Sequence, residues 1–263
     1  MKQFAVFVDG SNLLGSLKKI NLQVTDYQAF FKFIFEESVK TWEECLVAKA
    51  VVPVQMQRVY WYVLGTMDNL NTADPKFQAA MKELFDKDPD LKKTYMALAG
   101  QKFPGKSQND TYLDAWKMCF EESKNWYEKK QNLLDGFNSF YYTLRGETDF
   151  IDINECGHWK VDFLYRYLSE KGLDTQLAVD VATMAPQYDV ALIISGDADS
   201  IPSINYVKKL GKQIGTIELI KGHPPDKKGK QFSSRLKAAS DFVVRIYQID
   251  LERKKITQPL KQP

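Results

Sequence analysis

The residues with chemistry to offer are carboxylates placed where apolar runs stop. Val190-Ala191-Leu192-Ile193-Ile194 leads into Ser195-Gly196-Asp197-Ala198-Asp199, so two acids at positions n and n+2 follow what reads as a strand buried on both faces. Phe4 to Val8 runs in the same way into Asp9-Gly10-Ser11-Asn12. A third block, Lys171-Gly172-Leu173-Asp174 with Leu177-Ala178-Val179-Asp180, sets Asp174 at a helix start and Asp180 among apolar neighbours. Open α/β sheets bind ligands at the carboxyl edge of their strands, where such acids would gather. Carboxylates brought together raise one another's pKa unless a cation neutralises them. Mg²⁺ or Mn²⁺ is the economical choice, since both take oxygen ligands and can orient water against a phosphoryl group. The plainer reading makes Asp199 the N-cap of a helix near Ile201-Pro202 and Asp197 a turn residue. Taken alone, the block admits both.

These acids need elements to carry them. Phe4–Val8, Arg58–Gly65, Asn138–Gly146, Val190–Ile194, Lys212–Ile220 and Phe242–Ile246 read as strands from their branched and aromatic content. Helices are expected from Leu13, over 26–50, from Asp174 through Met184, over Ile201–Leu210 and from Ser233. Gly10 permits a sharp turn after Asp9, and Ser11 or Asn12 can cap the helix that follows. Asp174 and Asp180 are six residues apart, hence about 120° from each other around an ideal helix, so Asp180 reaches a common site only obliquely. Asp180 sits amid Ala178, Val179, Val181 and Ala182, where an uncompensated carboxylate would be costly, so a partner is expected. Residues 147–157 read as a polar connection, and the last residues as a frayed tail. Between 66 and 137, charged residues, aromatics and prolines at 75, 89 and 104 suggest several helices joined by polar turns, an insertion or cap.

Composition limits the classes of function. The 263 residues are 44% hydrophobic and 27% charged, those of an ordinary globular chain. Thirty-six Lys and Arg against 34 Asp and Glu leave a formal charge of +2, so only the distribution of charge speaks about nucleic acid. The most basic tract holds Lys208, Lys209, Lys212, Lys221, Lys227, Lys228 and Lys230, followed by Arg235 and Lys237. Lys208, Lys212 and Arg235 are candidate phosphate contacts if they share the rim on which the acids open, and a solvated face if they do not. Three scattered cysteines suggest a reducing compartment without a disulfide framework, and two histidines make a Cys/His zinc cluster improbable. The expectation is a cytoplasmic protein, because no stretch approaches the ~18 apolar residues of a membrane span.

Phe7-Val8-Asp9-Gly10-Ser11-Asn12-Leu13, the Lys171–Asp180 block and Ile194-Ser195-Gly196-Asp197-Ala198-Asp199 with Ile201-Pro202 together resemble the NYN domain. That domain is a branch of the PIN-like nucleases, with bacterial members grouped as LabA-like proteins. Ser234-Arg235-Leu236 with Ala239-Ser240-Asp241-Phe242 is similar to its closing motif, although Ser240 stands where Ala is commoner and Ser200 where an aromatic usually follows. The resemblance covers 3–65 loosely and 138–247 well, and leaves 66–137 unexplained. It implies a PIN-like, open, mostly parallel α/β sheet flanked by helices, one domain over 1–250 with the helical insertion at 66–137 and a tail at 251–263. It implies a metal-dependent ribonuclease in which Asp9, Asp174, Asp197 and Asp199 bind Mg²⁺ or Mn²⁺, with Asp180 a further catalytic acid. Asn12 would steady the first loop beside Ser11, and Ser195 would meet a phosphate or a metal-bound water. A non-catalytic RNA-binding or regulatory module, and a small-molecule phosphoesterase, remain as alternatives. The insertion could serve a protein partner or a homo-oligomer.

Overall fold

The computed structural model describes residues 1–46, 52–224 and 234–260. Along the chain run β1 (Lys2–Asp9), α1 (Gly10–Lys19), β2 (Leu22–Val24), α2 (Tyr27–Cys45), β3 (Val54–Met67), α3 (Pro75–Lys87), α4 (Pro89–Lys102) and α5 (Gln108–Glu147). There follow β4 (Ile151–Asp162), β5 (Tyr167–Lys171), α6 (Leu173–Thr183), β6 (Val190–Ile194), α7 (Ile201–Lys209), β7 (Gln213–Ile220), α8 (Ser234–Ala239), β8 (Phe242–Tyr247), α9 (Gln248–Arg253) and β9 (Thr257–Pro259). They form two compact units, the first of residues 1–64, 141–157 and 172–263, the second of 65–140 and 158–171.

In the first unit the hydrogen-bonded strand order is β4-β3-β1-β6-β7-β8. β1 pairs in parallel with β3 on one side and β6 on the other, β6 with β7, and β7 with β8. β1 and β6 are buried along nearly their whole lengths, which explains why their sequences are continuous apolar runs. Parallel pairing sends every carboxyl end to one edge, so the ends of β1 and β6 arrive side by side. Gly10, the residue after β1, lies so close to β3 that a Cβ there would stand 2.7 Å from the Tyr62 carbonyl oxygen and 2.7 Å from Trp61 Nε1. Only glycine lets α1 begin at that point.

The second unit packs α3, α4 and most of α5 around Phe85, Tyr95, Cys119, Phe120, Tyr127 and Phe163. In it the distal half of β4 pairs antiparallel with β5. His158 bridges the Asp68 carboxylate (2.8 Å) and the Thr66 hydroxyl (2.9 Å).

Three expectations fail. Asn138–Gly146 is no strand but the last turns of the 40-residue α5. Its Tyr141 and Leu144 are buried three apart, a helical interval that outweighs the strand propensity of its aromatics. Residues 147–157, read as a polar connection, contain the start of β4, where Ile151, Ile153, Gly157 and Trp159 are buried on one parity and the exposed Glu155 interrupts the alternation. The C-terminal stretch does not fray before 260, since α9 packs there and β9 pairs antiparallel with β2. The other expected strands and helices form at or near their expected positions, α2 ending at Cys45, and 47–51 lying outside the described residues.

Two outcomes follow from these contacts. Gly10→Ala should lower stability by about 1–3 kcal/mol, the usual scale of overpacking, measured by denaturant unfolding. Asp189, ahead of β6, accepts the Gln3 N–H (2.9 Å) and the Lys2 ammonium (3.1 Å), which hold its carboxyl below the ordinary value of 3.8. A folded value below the unfolded one contributes stability above the unfolded pKa and loses it as pH falls through the folded one. The melting temperature of Asp189→Asn should therefore trail wild type at pH 7, with the gap closing below about pH 4.

Candidate metal centre

Asp9 is the buried acid of the carboxyl edge, 2% exposed. Its Oδ1 accepts the Asn12 backbone N–H at 2.9 Å, which makes it the N-cap of α1. Its Oδ2 accepts from the Asn12 side-chain amide and, at 3.3 Å, from the Ser195 hydroxyl at the end of β6. The Ser195 oxygen in turn accepts the Asp197 N–H at 3.1 Å. One hydroxyl thus ties the end of β1 to the first turn of the loop after β6. Ser11 is half-buried beside it.

That loop carries the exposed acids. Asp197 Oδ1 accepts the Asp199 N–H at 3.3 Å, so Asp197 does serve the turn. The N-cap position of α7 belongs to the buried Ser200 and has no side-chain cap bond, so Asp199 is not a cap. The Ser200 hydroxyl instead reaches the Asp197 carbonyl at 3.5 Å, and the residue is buried. Asp174 enters from the first turn of α6, whose N-cap is Gly172 at φ 91°, a conformation that favours glycine. One carboxylate oxygen from each of Asp174, Asp197 and Asp199 lies within 4.8 Å of the other two, and all three residues are exposed. Asp9 is not in this group: its oxygens face inward, onto Asn12 and Ser195.

Asp180 is half-buried beside an exposed Val179, not enclosed as its apolar neighbours suggested, and it has two partners. Tyr62 of β3 donates to Oδ2 at 2.9 Å, and Gln176, one turn earlier on α6, donates to Oδ1 at 2.9 Å. Burial and the Asp180 charge push the Tyr62 phenol far up, so it remains a donor at any physiological pH. Nearby, burial and then Asp180 push the Cys156 thiol up to about 11, which makes it a neutral packing group rather than a nucleophile. Sequence reasoning missed Tyr62 and Gln176. The i to i+4 spacing of Gln176 and Asp180 was a local signal; nothing local marked Tyr62.

The basic residues divide. Lys208 closes α7 and is held by Asp241 (2.8 Å) and the Ala239 carbonyl (2.9 Å), just ahead of β8. Lys212 immediately precedes β7 and donates to the Tyr188 carbonyl at 2.6 Å. Both therefore lie at the amino-terminal edge of the sheet, opposite the acids, and the expectation that they line the acidic rim is corrected. A helix that leaves β6 at one edge must deliver its last turn to the other. Arg235 is exposed on α8. Lys227, Lys228, Lys230 and Ser233 lie outside the described residues.

Residues 134–247 match the model of the NYN domain. An NYN domain of the PIN-like nuclease superfamily is thus present over that stretch, and the α/β sheet, largely parallel with flanking helices and a helical insertion, is a PIN-like architecture. The match includes Asp174, Asp180, Asp197 and Asp199 and begins well after Asp9. No curated protein matches the chain. A crystal structure of a protein of unknown function from Vibrio parahaemolyticus is 15% identical over 93% of this chain and 93% of that one, with a TM-score of 0.44.

The donor set suits a hard divalent cation: three carboxylates, no thiolate and no imidazole. Among the described residues, no helix is long and apolar enough to cross a membrane.

The two kinds of acid should respond oppositely to neutralisation. In metal-free buffer, Asp197→Asn or Asp199→Asn removes like-charge repulsion and should raise the melting temperature by up to about 2 °C, on the scale of exposed charge pairs. Asp9→Asn turns an amide donor toward donors and should cost about 1–3 kcal/mol. Differential scanning fluorimetry with and without EDTA distinguishes these outcomes.

Proposed function

We propose that the chain is a metal-dependent ribonuclease that hydrolyses phosphodiester bonds of accessible RNA, allied to the LabA-like members of its family. The observation that carries this reading is the meeting of Asp174 from α6 with Asp197 and Asp199 from the loop after β6 at the carboxyl edge of a sheet bearing an NYN domain. Asp174, Asp197 and Asp199 would hold Mg²⁺ or Mn²⁺, which supplies positive charge for the phosphoryl oxygens and acidifies water. Asp9 acts through Ser195 and Asn12 to keep the loop in shape, and Asp180, fixed by Tyr62 and Gln176, sets the pitch at which α6 presents Asp174. A carboxylate oxygen of the cluster that the cation leaves free would orient the attacking water and accept its proton. As the water oxygen bonds to phosphorus, the phosphorus–oxygen ester bond breaks and the departing alkoxide is protonated by solvent. Free Cys45, Cys119 and Cys156 support a reducing, cytoplasmic setting for this work.

Cleavage of a fluorescent single-stranded RNA should require Mg²⁺ or Mn²⁺, vanish in EDTA and vanish in Asp197→Asn and Asp199→Asn. Asp9→Asn should reduce cleavage by about 10–100-fold, as loss of a group that orients metal ligands does. Unchanged cleavage in both loop variants would refute the mechanism; salt-sensitive RNA binding without turnover under either metal would replace it with a non-catalytic RNA module.

A further inference from the structure

The parallel register identifies which residues share a level along the carboxyl edge. Val8 pairs with Ile194, so Asp9 stands beside Ser195, as their hydrogen bond requires. Ile193 pairs with Thr216, which brings Glu218, two residues on, level with Ser195 on the far side of β6. Glu218 is itself paired with Arg245 of β8. Registered residues of neighbouring parallel strands point to the same face of a sheet. One row therefore runs Asp9, Ser195, Glu218, Arg245 across four strands.

Glu218 is an unusual occupant of a central strand. It is 1% exposed and accepts a hydrogen bond from Lys237 of α8 at 2.6 Å, while the Lys237 side chain keeps 24% of its surface open. A buried ion pair is a weak source of stability, and an apolar pair of the same volume would hold α8 to β7 as well. What the ion pair does, and an apolar pair would not, is fix an ammonium near the level of the acids. Arg245 is exposed at the sheet's edge strand and forms no ion pair among the described residues. Three exposed carboxylates repel a polyanion, and Lys208 and Lys212, which could have offset them, lie at the opposite edge.

We propose that Lys237, tethered by Glu218, and Arg245 bind backbone phosphates of the RNA strand beside the acidic cluster. The ammonium has three donors, of which Glu218 takes one, and the guanidinium fork suits phosphate bidentately. This assignment rests on the nuclease reading above and supplies its substrate contacts. Neither residue touches the proposed cation site, so both govern binding rather than turnover of bound strand.

The test is binding of a fluorescent uridine decamer by the full chain across a salt titration, with Ca²⁺ in place of the catalytic ion. Each contact removed from a single strand flattens the slope of log K against log salt by about 0.7. Lys237→Gln and Arg245→Gln should each lose about that much, and the double change Glu218→Gln with Lys237→Gln, which replaces the buried pair by two amides, should match Lys237→Gln while melting near wild type. A role confined to packing would move the melting temperature and leave the slope alone. A wild type that binds with a steep slope, retained in both single variants, overturns this assignment while the nuclease reading stands. A wild type that neither binds nor cleaves RNA overturns both.

Discussion

Asp9 is an acid almost without access to water, and each of its oxygens meets a donor. Asn12 supplies two of those donors and Ser195 a third, from a strand 186 residues away. The requirement propagates. Ser195 must end β6 level with Asp9, β1 and β6 must therefore be neighbours in parallel, and Gly10 must allow α1 to start against Trp61 and Tyr62. The loop with Asp197 and Asp199 then hangs from the acceptor side of the same hydroxyl. An uncompensated carboxylate here would be among the costliest defects a core can carry.

The acids thus fall into two electrostatic classes. Asp9 and Asp180 are held by hydrogen-bond donors within the protein, and their charge shapes the backbone. Asp174, Asp197 and Asp199 are exposed and crowded, a state that a hard cation relieves. Lysines occupy both edges of the sheet. Lys208 and Lys212 satisfy Asp241 and chain carbonyls at the amino edge, while Glu218 brings Lys237 toward the carboxyl edge.

Much of this was legible in the residues. The apolar runs of β1 and β6 are uninterrupted, and α6 and α7 carry start and stop signals next to their acids, so their existence and order could be read directly. The stretch from 138 to 157 could not. Aromatics near 140 have strand propensity in isolation, yet α5 continues through them because no proline interrupts it, Gly136 is tolerated within it, and its buried positions keep a helical interval. The alternation from Ile151 to Trp159 was masked by polar residues on the outward face, which are what a strand with one open side should carry.

The sequence by itself determined which residues carry charge, where strands end and helices begin, and hence that Asp9, Asp174, Asp197 and Asp199 would be released at element termini. Those are consequences of short-range sterics, periodicity and capping, which act within a few residues. Only the tertiary structure decided that Asp9 turns inward while the other three converge, that Tyr62 and Gln176 claim Asp180, and that Lys208 and Lys212 face the wrong edge while Glu218 and Arg245 share the level of Asp9. Those outcomes depend on strand order and register, set by contacts between segments that no local pattern brings together.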